Sequence, residues 1–384
     1  FDGKTQVDPD IGKNRLRECQ WEPCLEFTIK EDWVSGVYLC KLTSLETGMQ
    51  SYITFIIKDD RKVDFLFQCS DTTWNAYNRW PSQYSLYDSD ETVWYWGAGV
   101  DVSFDRPYGK YCQIFDAPLT TGSGEWFCWE LPIAYWLESM GYDVSYCSNI
   151  DTHASGGSLM RAGTLISAGH DEYYSMDMFN NVRSAIRGGL NVAFLSGNTC
   201  CGLLEMKPSS DGRPNRIISR IDRFGPRDKI GDDLFHSMKT LPRTAPNEAD
   251  IIGARSTGPV VGGADYICTQ PNHWLFANSG MKKGEGIPGL VGWEWHGDPA
   301  NIPGLEIVAQ GTTNSGAGTG TYTSTLYPGP KGNLVFNASS CWWGDGLSEP
   351  PGYVRPAAHG ATPQGPDKRV QVITTNLLDH LKAQ

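Results

Sequence analysis

The run Thr164-Leu165-Ile166-Ser167-Ala168-Gly169-His170-Asp171-Glu172-Tyr173-Tyr174-Ser175 constrains this chain more than any other. A short apolar segment with the character of a buried strand ends in a small-residue turn. Hydrogen-bonding and ionisable side chains follow, and a helical pattern opens at about Met176. In an open α/β sheet the loops at the carboxyl ends of the strands splay into a crevice, and ligands bind there. A histidine, two carboxylates and two phenols at such a corner can ligate a metal through oxygen or carry acid–base chemistry. Asp171 or Ser175 taken singly reads as a helix cap. The cluster taken whole reads as a site.

The surrounding pattern supports a sheet with that crevice. Val63–Gln68, Tyr142–Tyr146, Thr164–Ala168 and Asn191–Ser196 are strand-like runs. Between them, Ile133, Trp136, Leu137 and Met140 recur at helical spacing within 129–140, and Gly141 stands where a C-terminal cap belongs. A second helix is expected over Met176–Arg187, closed by Gly188-Gly189. Alternating strands and helices imply right-handed crossovers. The expected class is α/β, a mostly parallel sheet flanked by helices. Ahead of it, Leu25–Ile29, Gly36–Leu42 and Ser51–Ile57 alternate as three short antiparallel strands of sandwich-like character. The expected division is a β-rich segment at 1–60 and an α/β domain at 61–384. Within the latter, the charged, turn-rich stretch 205–250 reads as an insertion or lid. Short β runs at Leu305–Ala309, Gly320–Thr325 and Asn333–Asn337 and a last helix over Val370–Leu381 complete the reading, with Gly316–Gly320 as a loop.

Composition removes several partners. Thirty-two basic against 44 acidic residues give a net charge of −12, and no Lys/Arg cluster stands out, so nucleic acid and anionic membranes are not expected partners. No apolar run approaches the roughly 20 residues of a bilayer span. The first residue is Phe, consistent with a removed leader or a start inside a longer chain. Eleven cysteines without a zinc-type Cys-x-x-Cys pair, plus the acceptor tripeptide Asn337-Ala338-Ser339, suggest a secreted or extracytoplasmic, partly disulfide-bonded protein, otherwise a cytoplasmic one. Cys19, Cys24 and Cys40 are the expected disulfide participants. Homo-oligomerisation stays open. Fourteen Trp and 17 Tyr serve the core and could also face a flat or sugar-like ligand.

Several motifs occur in a fixed order: Trp74-Asn75-Ala76-Tyr77-Asn78, Ser85-Leu86-Tyr87, Ser103-Phe104-Asp105-Arg106-Pro107-Tyr108, Gly169-His170-Asp171-Glu172-Tyr173, Leu195-Ser196-Gly197-Asn198 and Gly292-Trp293-Glu294. As a set they resemble the C-terminal domain of the large (beta) subunit of N,N-dimethylformamidase and its relatives, over about residues 35–380. The resemblance implies a core similar to the class I glutamine-amidotransferase-like fold behind a β-sandwich. It further implies hydrolysis of a small amide at one iron held by two tyrosines and a glutamate. By that likeness Tyr173 matches the tyrosine of a His-x-Glu-Tyr motif, and Glu294 is the glutamate. The second tyrosine belongs near the start of the 129–138 helix, where this sequence has Trp129, Glu130, Leu131 and Pro132, with Tyr135 one turn on. Tyr174, His170 or Glu130 would stand in for it.

Phenolate and carboxylate suit iron(III), whose charge keeps the phenol ionised. His170 and Glu172 are then the candidate proton carriers, with Tyr173, Tyr174 and Glu294 as candidate ligands. Arg106 could clamp a carboxylate bidentately or hold a loop. Asn75, Tyr77, Asn78 and Tyr87 could line the same crevice. Two alternatives remain. Cys200 or Cys201 sits on a sharp turn after a strand and could attack an amide with His170 or His296 as base. The aromatic surface could instead serve a non-catalytic, carbohydrate-binding protein.

Overall fold

A computed structural model of the chain describes residues 3–90, 95–110, 122–225, 245–315, 318–359 and 365–384. β1 (Gly36–Thr43) and β2 (Gln50–Ile57) form an antiparallel hairpin. The third strand expected beside them is absent. Leu25–Ile29 is irregular, and Leu25, Phe27 and Ile29 are exposed. Its alternation has no neighbouring ladder to join, and Phe27 settles instead against Phe55, ring centroids 6.0 Å apart.

β3 (Val63–Cys69) enters the core and leads straight into α1 (Asp71–Tyr77), whose residues are all buried. After the short β4 (Asp101–Ser103) come α2 (Trp126–Trp129) and α3 (Leu131–Ser139). Pro132 sits in the first turn of α3, where a missing N–H costs nothing. β5 (Val144–Ser148) and α4 (Asn149–Ala154) precede β6 (Ala162–Gly169), the strand expected from the Thr164–Ala168 run. β7 (Tyr173–Ser175) then feeds α5 (Met176–Gly188). Ser175 Oγ accepts the Met178 N–H at 3.1 Å, the cap its sequence position suggested. Gly189, at φ +107, ends the helix in the left-handed conformation that favours glycine. β8 (Asn191–Ser196) follows.

The remainder is largely hairpins. β9 (Gly202–Lys207) and β10 (Ile217–Arg223) pair antiparallel, so the first part of the expected insertion is sheet. Residues 226–244 of that stretch lie outside the described residues. α6 (Ala249–Ile252) leads to β11 (Ala254–Thr257), β12 (Ala264–Ile267), β13 (Gly286–Val291) and β14 (Trp295–Pro299), with β11 pairing β14 and β12 pairing β13. β15 (Glu306–Ser315), β16 (Gly318–Pro328) and β17 (Leu334–Asn337) form an antiparallel meander, and α7 (Lys368–Lys382) docks last. Of the expected 316–320 loop, residues 316 and 317 lie outside the described residues and the rest belongs to β16.

Seven strands make the central sheet in the order β15-β16-β17-β8-β6-β3-β5. From β17 to β5 every pairing is parallel, while β15, β16 and β17 run antiparallel. A second sheet has the order β4-β10-β9-β7. The expected mostly parallel, helix-flanked class is therefore wrong: the sheets are mixed, and among the described residues antiparallel pairings outnumber parallel ones. Parallel neighbours need a crossover of about a dozen residues or more, usually a helix. The chain supplies helices between β3 and β8. From β9 to β17 the described residues supply turns and only the short helices Ala249–Ile252 and Trp274–Phe276, so most of those strands pair antiparallel with one another.

The expected disulfides are also absent. No described cysteine is disulfide-bonded; Cys112 lies outside the described residues. Cys40 faces Ile53 across the hairpin, and the Cys19 N–H donates to Asp105 O, so the fold places neither beside a second thiol. The glycosylation tripeptide is inaccessible. Asn337 is fully buried in β17 and its side-chain amide donates to Thr323 O at 3.2 Å. No described helix is long and apolar enough to cross a membrane.

Gly169 closes β6 at φ +64, and a Cβ there would collide with Trp129 Cβ and press on its backbone. Gly169→Ala is expected to lose roughly 2–4 kcal/mol of stability, from left-handed strain plus overpacking. Urea unfolding followed by tryptophan fluorescence measures it; an unchanged midpoint would contradict the tight fit.

Candidate metal centre

The parallel strands deliver the chemistry at their carboxyl ends, as open sheets do. His170 and Glu172 lie between β6 and β7, Tyr77 ends the helix after β3, and Asn198 turns the chain after β8. Glu294 precedes β14. His170 Nε2 contacts Glu294 Oε2 directly and stands 3.5 Å from Glu172 Oε2. The ligand atoms of these three residues all lie within 4.8 Å of one another, and all three residues are buried. Asn198 Nδ2 donates to Glu294 Oε2 at 2.8 Å, and the Tyr77 hydroxyl donates to Glu172 Oε2 at 2.6 Å. The Glu172 N–H donates to Thr73 Oγ1, fixing the backbone of the corner.

Glycines make the approach possible. A Cβ at Gly197 would strike the Glu294 carbonyl, and one at Gly292 would enter the Trp342 ring. Between Gly292 and Glu294, Trp293 takes φ +60, a conformation that costs a non-glycine residue about 1 kcal/mol or more.

Charge is concentrated here. Burial, then the neighbouring Glu294 charge, pushes the Glu172 carboxyl up against the opposing pull of His170 and Tyr77. Burial alone would disfavour the His170 imidazolium, yet the Glu294 and Glu172 carboxylates outweigh it and raise His170 above its ordinary range. Two like-charged carboxylates converging on one imidazole nitrogen form a donor set that a cation would neutralise. Carboxylate oxygens with one imidazole are ligands that a metal ion can use.

The tyrosines are arranged differently from the sequence expectation. Tyr174 donates to Asp171 Oδ2 and accepts from Gln68 Nε2, each at 2.8 Å. Tyr173 accepts from Arg220 Nη1 at 2.8 Å and meets the Tyr87 hydroxyl at 2.5 Å. Tyr87 in turn donates to Tyr77. A chain of phenols therefore runs from Arg220 to Glu172, and Tyr77, expected only to line the crevice, is the one that touches a glutamate at close range. Trp129, where the second tyrosine was expected, lies beside His170, ring centroids 5.8 Å apart. Glu130 binds the Ser70 N–H and Trp74 Nε1 instead. Arg220 and Asn198 were missed as partners. Asn198 was visible within the Leu195–Asn198 motif, and Arg220 was signalled only as a cation within an otherwise apolar strand start.

Asp171 is a structural hub: Gln68, Asn149, Ser167 and Tyr174 all donate to its carboxylate. Arg106 is another. Its guanidinium donates to the carbonyls of Ser103, Trp80, Tyr84, Asn75 and Asn78, and burial lowers its pKa to about 9. Asn78 completes that loop by binding Pro107 O and the Gly109 N–H. The cysteine elbow does not favour a thiolate. Burial pushes Cys200 and Cys201 well above the ordinary thiol range. His296 cannot serve them as a free base. Its Nε2 accepts the Thr199 N–H at 3.0 Å, its Nδ1 faces Asn337 Oδ1 at 2.6 Å, and burial lowers its pKa to about 4. These contacts assign the proton to Nδ1.

The family model described as N,N-dimethylformamidase beta subunit-like, C-terminal matches residues 1–357. The chain belongs to that family. No curated protein matches it. Membership agrees with the motif order above and gives the buried His/Glu/Glu group its context, a dimethylformamidase-like amide hydrolase family by its description.

Arg106→Met leaves several buried carbonyls without donors, so a loss of about 3 kcal/mol or more is expected. Faster limited proteolysis between residues 79 and 108 would accompany it. A variant as stable as wild type would move Arg106 out of the scaffold.

Proposed function

We propose that this chain hydrolyses the carbon–nitrogen bond of a small amide at a metal ion, iron on the chemistry of the donors, held by His170, Glu172 and Glu294 with Tyr77 adjoining. The observation that carries the reading is the convergence of three buried ligand atoms within 4.8 Å, at the carboxyl ends of parallel strands, in a family described by dimethylformamidase. When bound, such an ion polarises the amide carbonyl and acidifies water.

The chain's own residues do the rest. Asn198 and Tyr77 orient the two glutamates by one hydrogen bond each, so that neither carboxylate rotates freely. His170 can hold a proton at Nε2 between Glu294 and Glu172, or offer that nitrogen's lone pair once the proton leaves. The indoles of Trp129 and Trp293, 5.8 Å apart, limit water around the imidazole and strengthen every charge interaction inside. Arg220 anchors the far end of the phenol chain and supplies the positive charge nearest Tyr173.

Elemental analysis of the purified chain tests the reading, alongside hydrolysis of N,N-dimethylformamide and a panel of small primary and tertiary amides. Iron near one equivalent per chain is expected, with activity lost on chelation and restored on reloading. Glu294→Gln should lower bound metal and reduce kcat/KM by about 100-fold or more. Tyr77→Phe should shift or remove any phenolate–iron absorption, whereas Tyr174→Phe should leave it unchanged. Cys200→Ser and Cys201→Ser should retain activity. Hydrolysis by a metal-free protein that either serine substitution abolishes would transfer the chemistry to the cysteine elbow.

A further inference from the structure

Beside His170 the protein stacks four rings from distant parts of the chain. Trp129 packs against Trp293 at 5.8 Å and lies nearly parallel to His359 at 4.7 Å; His359 in turn stacks on Trp342 at 5.5 Å. His359 and Trp342 are each 2% exposed, and Trp293 is half-buried. Such a stack is ordinary apolar packing except in one respect. The ring nitrogens Trp293 Nε1, Trp342 Nε1 and His359 Nε2 are all buried without a hydrogen-bond partner among the described residues. Leaving a buried donor unmade costs about 1–3 kcal/mol, and native proteins seldom tolerate several in one cluster unless something else meets them.

The partners that are made sharpen the point. Trp129 Nε1 donates to Glu125 Oε2 at 3.1 Å, so this cluster can satisfy an indole when folding alone requires it. His359 Nδ1 faces Asp345 Oδ2 at 2.9 Å, which fixes the imidazole plane and places the proton on Nδ1, leaving Nε2 for something else. Trp342, Asp345 and His359 border a cavity of about 20 Å³, room for one polar atom group and little more. Trp293 reaches the cluster through a left-handed backbone immediately before Glu294, a strain that active regions retain and ordinary cores shed.

We propose that this ring cluster is the recognition site for a second oxygen of the amide substrate, a carbonyl or carboxylate held beyond the scissile bond. An indole N–H can only donate, so whatever meets Trp342 at the cavity must offer a lone pair. His359 Nε2 accepts an N–H from a neutral amide-like group or, when protonated, donates to a carboxylate. The assignment rests on the amide-hydrolase reading for its placement beside the reacting bond, but not for the binding itself.

Quenching of tryptophan fluorescence tests binding without turnover. The probes are N-acetylglycine, which carries a carboxylate, and N-acetylglycinamide, which carries a neutral carbonyl in its place. Saturable quenching of wild type by at least one probe is expected. Trp342→Phe, which keeps an aromatic ring but removes the N–H, and His359→Phe should each weaken it about tenfold. Preference for one probe tells whether the oxygen is charged. Near-ultraviolet circular dichroism on both variants confirms that the stack survives; should His359→Phe misfold, Trp342→Phe decides alone. Equal binding by wild type and Trp342→Phe, or no saturable quenching by either probe, overturns the proposal and leaves the cavity to a water molecule. Binding that responds to these variants in a protein that hydrolyses no amide would instead sink the proposed reaction and leave this site standing.

Discussion

Two buried carboxylates meeting at one histidine nitrogen set the terms for everything around them. Isolated charges cannot be held in an apolar interior, so each needs a partner or a cation. Glu294 has His170 and Asn198; Glu172 has His170 and Tyr77. The scaffold is arranged to keep those contacts short. Gly169, Gly197 and Gly292 each remove a side chain at a point where Trp129, the Glu294 backbone or Trp342 passes.

A second tier fixes the loops that carry these residues. Asp171 collects four donors from β3, β6, β7 and the start of α4, so the corner between β6 and β7 is tied to three strands at once. Arg106 does the converse, giving donors to carbonyls in α1, in the loop after it and at the end of β4. The two hubs use opposite chemistry for one purpose: a folded loop exposes many backbone groups, and a single multivalent side chain satisfies them together. This explains why the most polar residues near the site are not all reactive.

How much of this was legible in the sequence depended on the range of the contact. The corner after β6 was visible because strand, turn and helix signals are local, and Ser175 caps α5 where its position suggested. The parallel set β3, β5, β6 and β8 follows from helices written between the strands. The mixed character of the sheets was hidden, because it arises where helices are missing from the later part of the chain and absence gives no periodic signal. Leu25–Ile29 alternated correctly for a strand and lacked only a partner, which no local pattern can supply. His170 and Glu172 were readable as a pair, and Glu294 through its motif. The role of Tyr77 was not, since its distance from Glu172 is set by α1 docking beside β7. Arg106 and the cysteine elbow looked reactive by residue type; what no local pattern shows is that the Arg106 guanidinium ties down five backbone carbonyls and that Cys200 is buried with Cys201 half-buried beside it.

The order of strands in the central sheet carries a further consequence. β8 lies between β6 and β17, yet β17 is made some 140 residues after it. During synthesis on the ribosome, β6 and β8 can pair early while one flank of β8 stays open until Asn337 has emerged. Open strand flanks invite pairing with other chains. The nascent protein thus passes through a stage in which its central strand is half clothed, and Glu294, made in that interval, waits for the same closing strand. His296 and Ser339 lock β14 to the end of β17 through two hydrogen bonds. Completion of the sheet and positioning of Glu294 therefore draw on the same late-made segments, β14 and β17.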